Sequence, residues 1–354
     1  MTIKIDPKAL DALKNFTLPE NIGFGSTIVP IMAVSDYENG VWSPLELLPY
    51  APLVMDPTCK VLHYGQEIFE GMKAYHFEGN GPYLFRPEMN AKRFNVSAKR
   101  MAMAEIPEEL YLEAVRNVVG YSKEFIPRNS GESLYLRPFM FATENSLGIK
   151  PSDKFKFMVI ASPSGSYFKN GSLKVLIERE HIRACPGGMG FAKTGGNYAG
   201  SLVSALKAKE LGFEQTLWLD AVEKKYIEEM SGMNFFAVIN GKIVTPKIED
   251  TILDGITRNS LMQLARDLGY EVIEKKLEIE ELLGAIKDKS CSECFSCGTA
   301  AIITPIGLFG DESGNKWDVE NPEGPVGKNL KKTLLSLQEG RLEDKHGWRE
   351  EVEY

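Results

Sequence analysis

Lys193 has the surroundings of a reactive amine. It lies in residues 185–201, a stretch with six glycines and no second charged side chain. Glycine-rich backbone lets a ligand approach closely, because no side chains keep the ligand away. An amine that such a ligand desolvates is a nucleophile that can form a Schiff base. The stretch therefore predicts covalent chemistry at Lys193, with a solvated lysine in a surface loop as the alternative.

The same stretch differs by one residue from a phosphate-binding P-loop. Residues 187–194 read G-x-x-x-x-A-K-T, and an apolar run ending at Asp220 follows, as a second nucleotide motif would. A P-loop needs a helix that starts at the lysine, so that its first amides hold the phosphate. Residues 195–197, Gly-Gly-Asn, disfavour that helix, and Ala192 stands where a P-loop has glycine. A P-loop NTPase is therefore kept only as an alternative.

The composition limits the functions to consider. The chain has 354 residues, 43% of them hydrophobic and 25% charged, as in ordinary globular proteins. Its net charge of -8 gives no electrostatic support for binding nucleic acid or an anionic membrane. No apolar run approaches the length of a bilayer span, and the first residues lack a signal-peptide core. We therefore expect a cytoplasmic protein.

The five cysteines indicate reduced thiols rather than a metal site. Cys291, Cys294 and Cys297 form C-x-x-C-x-x-C, but a closed zinc or iron–sulfur site needs four ligands. No partner cysteine is near in sequence, and the four histidines are scattered. We predict no metal and a strand at 293–297, while a redox role for Cys294 and Cys297 stays open.

The elements that must position Lys193 follow from the apolar periodicity. Predicted strands are residues 27–34, 83–86, 133–138, 156–161, 173–178 and 215–219, with a hairpin at 235–244. Predicted helices are residues 87–103, 107–125, 201–211, 255–268 and 325–343. The hairpin is the clearest signal, because Asn240-Gly241 favours a type I′ turn.

Turn-forming residues at 162–172 predict a linker near the middle of the chain. We therefore expect a small N-terminal α/β domain at 1–165, a linker at 166–175 and a large C-terminal domain at 176–354. The fold class is α/β (α+β), and the larger domain carries Lys193.

Six short motifs occur along the chain in one order. They are residues 69–75 (FEGMKAY), 90–93 (NAKR), 135–137 (YLR), 193–198 (KTGGNY), Glu229 with 232–235 (GMNF), and 297–300 (CGTA). Together they resemble a branched-chain amino acid aminotransferase of the fold-type IV pyridoxal phosphate class, from about Phe24 to the C-terminus. The resemblance implies two α/β domains with pyridoxal 5′-phosphate at their interface, and a homodimer.

The resemblance also implies a role for each cofactor residue. Lys193 forms the Schiff base, Glu229 pairs with the pyridine nitrogen and favours the protonated ring, and Tyr198 hydrogen-bonds the ring oxygen. The phosphate would be bound by Arg93, the amides of Ile256 and Thr257, and the Thr299 hydroxyl. Alternatives from the residues alone are solvated charges for Arg93 and Glu229 and a packed aromatic for Tyr198. Glu228 is expected to be a solvated acid.

The implied substrate pocket has apolar walls and few polar groups. Its residues are Phe24, Tyr64, Tyr135, Arg137, Tyr167 and Ala300. Tyr135 and Arg137 alternate along one strand and share a face, and Arg137 would help to bind carboxylates, including that of 2-oxoglutarate. Phe24 and Tyr167 could instead be core aromatics. Leu147 and Ile149 would reach the partner subunit's site if the dimer forms.

Two departures from the family pattern affect what can be carried over. Some members have threonine where this chain has Gly232, so a hydroxyl near the substrate carboxylate would be missing. Amides of the turn at Thr299 and Ala300 could then carry more of that binding. Mammalian relatives have a C-x-x-C after the turn, where this chain has Ala301, so redox regulation is not transferred.

The expected reaction is transamination between leucine, isoleucine or valine and 2-oxoglutarate, by a ping-pong mechanism through Lys193. Alternatives in the same fold are a D-amino acid transaminase and an aminodeoxychorismate lyase. Outside it, a P-loop NTPase and a non-enzymatic binding protein remain. The expected partners are small amino acids and 2-oxo acids, without nucleic acid or membrane.

Overall fold

The computed structural model describes residues 3–165 and 171–353. Their contacts form two compact units. Unit 1 takes the described residues of Met1–Phe168, Ala192–Gly195 and Ser336–Tyr354, and unit 2 those of Lys169–Phe191 and Gly196–Leu335. Lys193 therefore belongs by its contacts to unit 1. The domain boundaries at 165 and 176 stay a prediction, and the predicted linker lies partly outside the described residues.

Runs of strands are interspersed with helices along the described chain. In order they are β1 Lys4–Ile5, α1 Pro7–Lys14, β2 Ile31–Glu38, β3 Val41–Trp42, β4 Glu46–Pro49, α2 Lys60–Tyr64, β5 Glu67–Phe69, β6 Met72–Phe77, β7 Asn80–Phe85, α3 Pro87–Arg100, α4 Glu108–Tyr121, β8 Ser133–Ala142, β9 Phe155–Ser164 and β10 Leu173–Glu178. There follow α5 Gly195–Ala199, α6 Leu202–Glu210, β11 Gln215–Leu219, β12 Ile227–Met230, β13 Asn234–Ile239, β14 Lys242–Pro246, α7 Ile256–Asp267, β15 Val272–Lys275, α8 Ile279–Lys287, β16 Cys291–Gly298, β17 Ile302–Gly310, β18 Lys316–Asp318, α9 Pro325–Gln338 and β19 Arg349–Glu351. A short 3-10 helix, Lys123–Phe125, follows α4.

Unit 1 is built on a ten-stranded sheet in the order β1-β4-β2-β9-β8-β6-β7-β19, with β3 beside β2 and β5 beside β8. Helices α3 and α4 pack on it through buried rings. Phe94 lies 5.3 Å from Tyr111 and 5.6 Å from Phe157 between ring centroids. Because α3 is fixed to the sheet in this way, its polar face can hold Asn90, Arg93 and Ser97 in set positions.

The last strand of the sheet in unit 1 comes from the far end of the chain. β19 pairs antiparallel with β7, and residues 86–348 separate the two strands in sequence. The Arg86 amide donates to the Trp348 carbonyl at 2.7 Å, and the Arg86 guanidinium lies 4.8 Å from the Trp348 ring. The C-terminal segment is therefore an integral part of this unit.

Unit 2 is built on a nine-stranded mixed sheet in the order β12-β11-β10-β17-β16-β13-β14-β15, with β18 beside β17. β10 runs parallel to both of its neighbours, β11 and β17. The predicted hairpin is confirmed as β13–β14, and both of its turn residues have positive φ, 51° at Asn240 and 73° at Gly241. Buried strand β12 carries Glu229 into this unit.

The mixed α/β class is confirmed, but some element ends differ from the predictions. The first long strand starts at Ile31 rather than 27, because Pro30 has no amide hydrogen for the ladder. The final helix ends at Gln338 rather than 343. Gly340, with φ of 77°, takes the left-handed conformation that ends helices.

All five cysteines are free thiols, as predicted, and Cys291, Cys294 and Cys297 are buried in β16. Among residues 3–165 and 171–353, no group of three or more His, Cys, Asp or Glu side chains is arranged to hold a metal ion. Over the same residues, no helix is long and apolar enough to cross a membrane.

Candidate functional site

The backbone of Lys193 is held on both sides within unit 1. Its amide donates to the Ser97 hydroxyl of α3 at 2.9 Å. Its carbonyl accepts the Phe69 amide of β5 at 3.0 Å. The side chain is half-buried, and its Nζ lies 4.8 Å from the centroid of the Phe69 ring. Because both sides of the peptide are bonded, the Cα from which the amine extends has a defined position.

Residues 195–197 were expected to disfavour a helix directly after Lys193, and this expectation is wrong. The short helix α5 begins at Gly195, and the Gly195 amide donates to the carboxylate of Glu67. A negative side chain at a helix start is stabilising, and it offsets the cost of the glycines. The same contact argues against a P-loop on other grounds, since a carboxylate occupies the amide that a phosphate would need.

Arg93 is held by a fully buried carboxylate, Glu70. Its Nε and Nη2 donate to the two Glu70 oxygens at 2.7 and 2.8 Å, and the Asn90 amide donates to Glu70 at 2.8 Å. Burial opposes ionisation, but the charges of Arg93 and Lys193 outweigh it, so the Glu70 pKa lies below its ordinary value. This bidentate pair fixes the direction of the guanidinium.

Tyr135 and Arg137 share one face of β8, as their alternation predicts. Arg137 Nη2 donates to the Tyr135 hydroxyl at 3.1 Å, and its Cζ lies 4.8 Å from the Phe69 ring centroid. Arg137 Nε is buried without a hydrogen-bond partner among the described residues. A buried donor of this kind is costly unless an acceptor reaches it, which suits a ligand carboxylate.

Phe24 and Tyr64 are the other residues of unit 1 that the sequence predicted for the substrate pocket. Phe24 packs edge-on against Tyr135 at 5.0 Å, yet it is 42% exposed, so the alternative of a core aromatic is wrong for Phe24. The Tyr64 hydroxyl donates to the Leu147 carbonyl. Tyr167 lies outside the described residues.

In unit 2, Glu229 is a buried carboxylate that accepts hydrogen bonds from surrounding donors, so the solvated alternative is wrong. Arg183 pairs with it at 2.7 Å, the Asn234 amide donates at 3.1 Å, and the Leu253 amide donates at 3.3 Å. Donors of this kind stabilise the charged form. A buried carboxylate with such partners can accept a hydrogen bond from a protonated ring nitrogen.

Ile256 and Thr257 open α7, as predicted for a phosphate-binding helix. The N-cap residue of α7 is Gly255, so no side chain at the N-cap position accepts the first amides of the helix. Amides at the start of a helix point outward along its axis and can bind an anion. A Cβ on Gly255 would overlap Asn234 Oδ1. Asn234 therefore joins the start of α7 to Glu229.

Tyr198, Thr299 and Ala300 are half-buried residues of unit 2. Tyr198 lies in α5, and a Cβ on Gly232 would come within 3.9 Å of its ring. Thr299 and Ala300 form the turn after β16, whose Cys297 pairs with Asn234 in the sheet. The structure thus groups the predicted residues within each unit: Lys193, Arg93, Tyr135, Arg137 and Phe24 in unit 1, and Glu229, Tyr198, Ile256, Thr257, Thr299 and Ala300 in unit 2.

Comparison with known proteins decides the family. Residues 67–309 match the family model described as Amino-transferase class IV. The chain belongs to this family. It is 44% identical over 356 residues to a probable branched-chain-amino-acid aminotransferase of Staphylococcus epidermidis, with 99% of both chains covered. It is 44% identical over 338 residues to branched-chain-amino-acid transaminase 1 of Bacillus subtilis, covering 94% of this chain and 95% of that one.

Solved structures support the same family assignment. The branched-chain amino acid aminotransferase of Escherichia coli has a TM-score of 0.74 and 30% identity, covering 91% of this chain and all of that one. The T.th. branched-chain amino acid aminotransferase complexed with N-(5'-phosphopyridoxyl)-L-glutamate has the same TM-score and identity, covering 91% of this chain and 99% of that one. The predicted fold-type IV class is confirmed, and the P-loop alternative is dropped for this class IV aminotransferase.

Three residues of this aminotransferase were missed from the sequence. Glu70 and Asn234 belong to the motifs at 69–75 and 232–235, and their places in these motifs could have identified them. Arg183 donates to the Gly190 and Thr251 carbonyls as well as pairing with Glu229. No local pattern identifies Arg183, because its partners come from separate stretches of the chain.

The expectation for Glu228 is wrong. This residue is only 5% exposed, and its Oε2 has no hydrogen-bond partner among the described residues. Burial raises the Glu228 pKa to about 7, although Thr251 and Arg183 favour the charged form. Two adjacent strand residues point to opposite faces. Both Glu228 and Glu229 are buried because β12 is covered on both faces.

Proposed function

We propose that this chain is a pyridoxal 5′-phosphate-dependent transaminase of branched-chain L-amino acids. It moves the amino group of leucine, isoleucine or valine to 2-oxoglutarate, giving the branched-chain 2-oxo acids and L-glutamate, and it runs the reverse reaction. The observation that carries the proposal is the similarity to branched-chain aminotransferases over 99% of the chain. The family motifs fall on residues that are held by specific bonds.

The residues present fit the cofactor. When bound, pyridoxal 5′-phosphate supplies a carbonyl that condenses with amines and an electron sink for bonds broken at Cα. Its ring nitrogen needs a buried anion, which Glu229 provides with Arg183 and Asn234 behind it. Its phosphate needs cationic and amide donors, which Arg93 and the first turn of α7 provide.

Lys193 would hold the cofactor and then move a proton at its Nζ. The hydrogen bonds of its backbone to Ser97 and Phe69 keep the Cα of Lys193 in place while the side chain moves its Nζ. A general acid–base group must lie within hydrogen-bond reach of the proton that it moves. We assign this role to Lys193 and no other residue.

Arg93, Ile256, Thr257 and Thr299 are the proposed phosphate ligands, and Tyr198 the ligand of the ring oxygen. Glu70 contacts none of these groups in the proposal. It acts on Arg93, because its two oxygens fix the guanidinium plane.

The substrate is proposed to contact Phe24, Tyr64, Tyr135, Arg137, Tyr167 and Ala300. Aromatic walls suit an aliphatic side chain, and the buried Nε of Arg137 suits a carboxylate. Gly232 offers no hydroxyl, so amides near Thr299 and Ala300 would bind more of the substrate carboxylate.

We also propose a cytoplasmic homodimer that forms through an exposed apolar surface of unit 1. Val54, Leu147 and Ile149 are 102%, 62% and 89% exposed. The Ser146 amide donates to the Thr58 carbonyl at 3.0 Å, so the two segments that carry these residues lie side by side. Exposed apolar surface of this kind marks association sites. The free state of all five cysteines suits a reducing compartment.

Light scattering tests the dimer. Replacing both Leu147 and Ile149 by serine should yield monomers, whereas Val96→Ser, at a 49% exposed position on α3, should not. A dimer that survives the double change would disprove this contact surface.

One spectrum and one assay test the activity. The purified protein should absorb visible light, shift on addition of L-leucine, and turn over L-leucine but not D-alanine. Lys193→Ala should lose that absorbance band and turnover, while Lys92→Ala, an exposed change on α3, should keep both. Full turnover by Lys193→Ala would refute the proposed mechanism, and preference for D-alanine would indicate a D-amino acid transaminase.

A further inference from the structure

Glu67 is a charged residue beside Lys193 that the proposed reaction does not use. It lies half-buried in β5, on the same face as Phe69 because alternate strand residues share a face. Its carboxylate accepts the Gly195 amide, and its backbone carbonyl accepts the Thr194 hydroxyl at 2.7 Å. These bonds fix the carboxylate at the end of the segment that carries the reactive lysine.

The fixed carboxylate lies in the field of the carboxylate-binding arginine. Arg137 and Lys193 both place their cationic ends 4.8 Å from the centroid of the Phe69 ring. Burial raises the Glu67 pKa, whereas the Gly195 and Thr194 hydrogen bonds and the Arg137 charge act against that rise. Glu67 shares a face of β5 with Phe69, and the Arg137 guanidinium lies over the Phe69 ring, so removing the charge of Glu67 should change how strongly Arg137 attracts other anions.

The two kinds of substrate in the proposed reaction differ in the charge that they present to Arg137. L-glutamate and 2-oxoglutarate carry a second carboxylate, whereas leucine and its oxo acid carry an aliphatic chain. A fixed negative charge near Arg137 offsets part of the attraction between the arginine and that second carboxylate, because charges interact strongly in a partly desolvated site. The same charge has little effect on an aliphatic chain.

We infer that Glu67 is a specificity-determining residue that weakens binding of the dicarboxylic substrates relative to the branched-chain substrates. This inference rests on the proposed transaminase function. Glu67 makes no contact with the substrate in it; it acts through the charge of Arg137. The enzyme thereby releases glutamate and 2-oxoglutarate more readily than Arg137 alone would allow.

Glu67→Gln separates the charge from the structural role. The glutamine carbonyl oxygen can still accept the Gly195 amide, so the segment stays anchored while the charge is lost. Glu67→Ala loses both. Glu124→Gln removes the same charge from an exposed site of unit 1 and serves as the matched control.

Steady-state kinetics of the holoenzymes provide the test. For Glu67→Gln, KM for 2-oxoglutarate and for glutamate should fall about threefold to tenfold, the range expected for one partly screened charge pair. KM for leucine should stay within about twofold of wild type, and kcat should change little. Glu67→Ala should lower kcat, and Glu124→Gln should change neither constant.

These measurements distinguish a failure of the inference from a failure of the proposed function. An unchanged or higher KM for 2-oxoglutarate in Glu67→Gln would overturn the inference, as would equal changes for leucine and 2-oxoglutarate. Wild-type protein that fails to transaminate leucine would instead refute the proposed function, before any variant is compared.

Discussion

Replacing Glu228 by glutamine should stabilise the protein at pH 8 and leave its stability nearly unchanged at pH 4.5. The carboxyl is 5% exposed, and burial raises its pKa from 4.5 to about 7. The folded state therefore binds a proton more tightly than the unfolded state. The stabilisation from that proton is complete below pH 4.5 and is lost as the pH rises through about 7.

The size of the effect follows from the shift in pKa. At about 1.4 kcal/mol for each pH unit, ionising Glu228 costs the folded state about 3 kcal/mol at pH 8. Glutamine resembles the protonated acid in shape and carries no charge, so it should avoid this cost. At about 1.3 °C per kcal/mol for a chain of 354 residues, the melting temperature should rise by about 4 °C.

Thermal unfolding of the holoenzyme, followed by circular dichroism at pH 4.5 and pH 8, measures this difference. Glu223→Gln is the matched control, since Glu223 is exposed in the same segment. A melting temperature for Glu228→Gln that is equal to or below that of wild type at pH 8 would refute the reasoning. So would an equal gain at both pH values, which would indicate better packing rather than titration.

Two further predictions concern unit 1. Gly71→Ala places a Cβ against the Tyr135 hydroxyl, so we expect kcat/KM for leucine to fall about 10- to 100-fold with the cofactor absorbance retained; a change within twofold would contradict the placement of Tyr135 in the pocket. Lys60→Met removes the fully buried ammonium that pairs with Glu144 at 2.9 Å, while Lys150 still pairs with Glu144 at 3.3 Å, so the free energy of unfolding in urea should fall by about 1.5–3 kcal/mol. Adding Glu144→Leu should recover most of that loss, and a single variant as stable as wild type would show that the pair is unimportant.

The sequence predicted the parts of the fold that depend on local signals. The Asn240-Gly241 hairpin forms because its turn residues take positive φ at little cost. The glycines after Lys193 did not prevent a helix, because Glu67 binds the first amide of α5 from a distant strand. Propensity is a local quantity, and a tertiary contact outweighed it.

The sequence predicted those candidate residues that can be identified within a single motif. Lys193 and Glu229 are of this kind: the chemistry of Lys193 was predicted from its surroundings in the sequence, and the role of Glu229 from the family resemblance, and both roles remain proposals. The groups that hold them could not be named, because Arg183 and Glu70 act through pairings between separate segments. The burial of Glu228 could not be predicted for a related reason. Every residue of β12 is buried, so the strand lacks the alternation of polar and apolar residues that identifies a solvent-facing side.

The C-terminal strand β19 affects how the chain can be made. While a ribosome extends the chain, β7 lacks its outer partner until residues 349–351 have emerged, and unit 1 also awaits Ala192–Gly195. Unit 2 draws all of its residues from one interrupted stretch that is synthesised earlier than β19. Its folding can therefore precede completion of the sheet in unit 1. Shortening the chain before Arg349 would expose a strand edge for association with other chains.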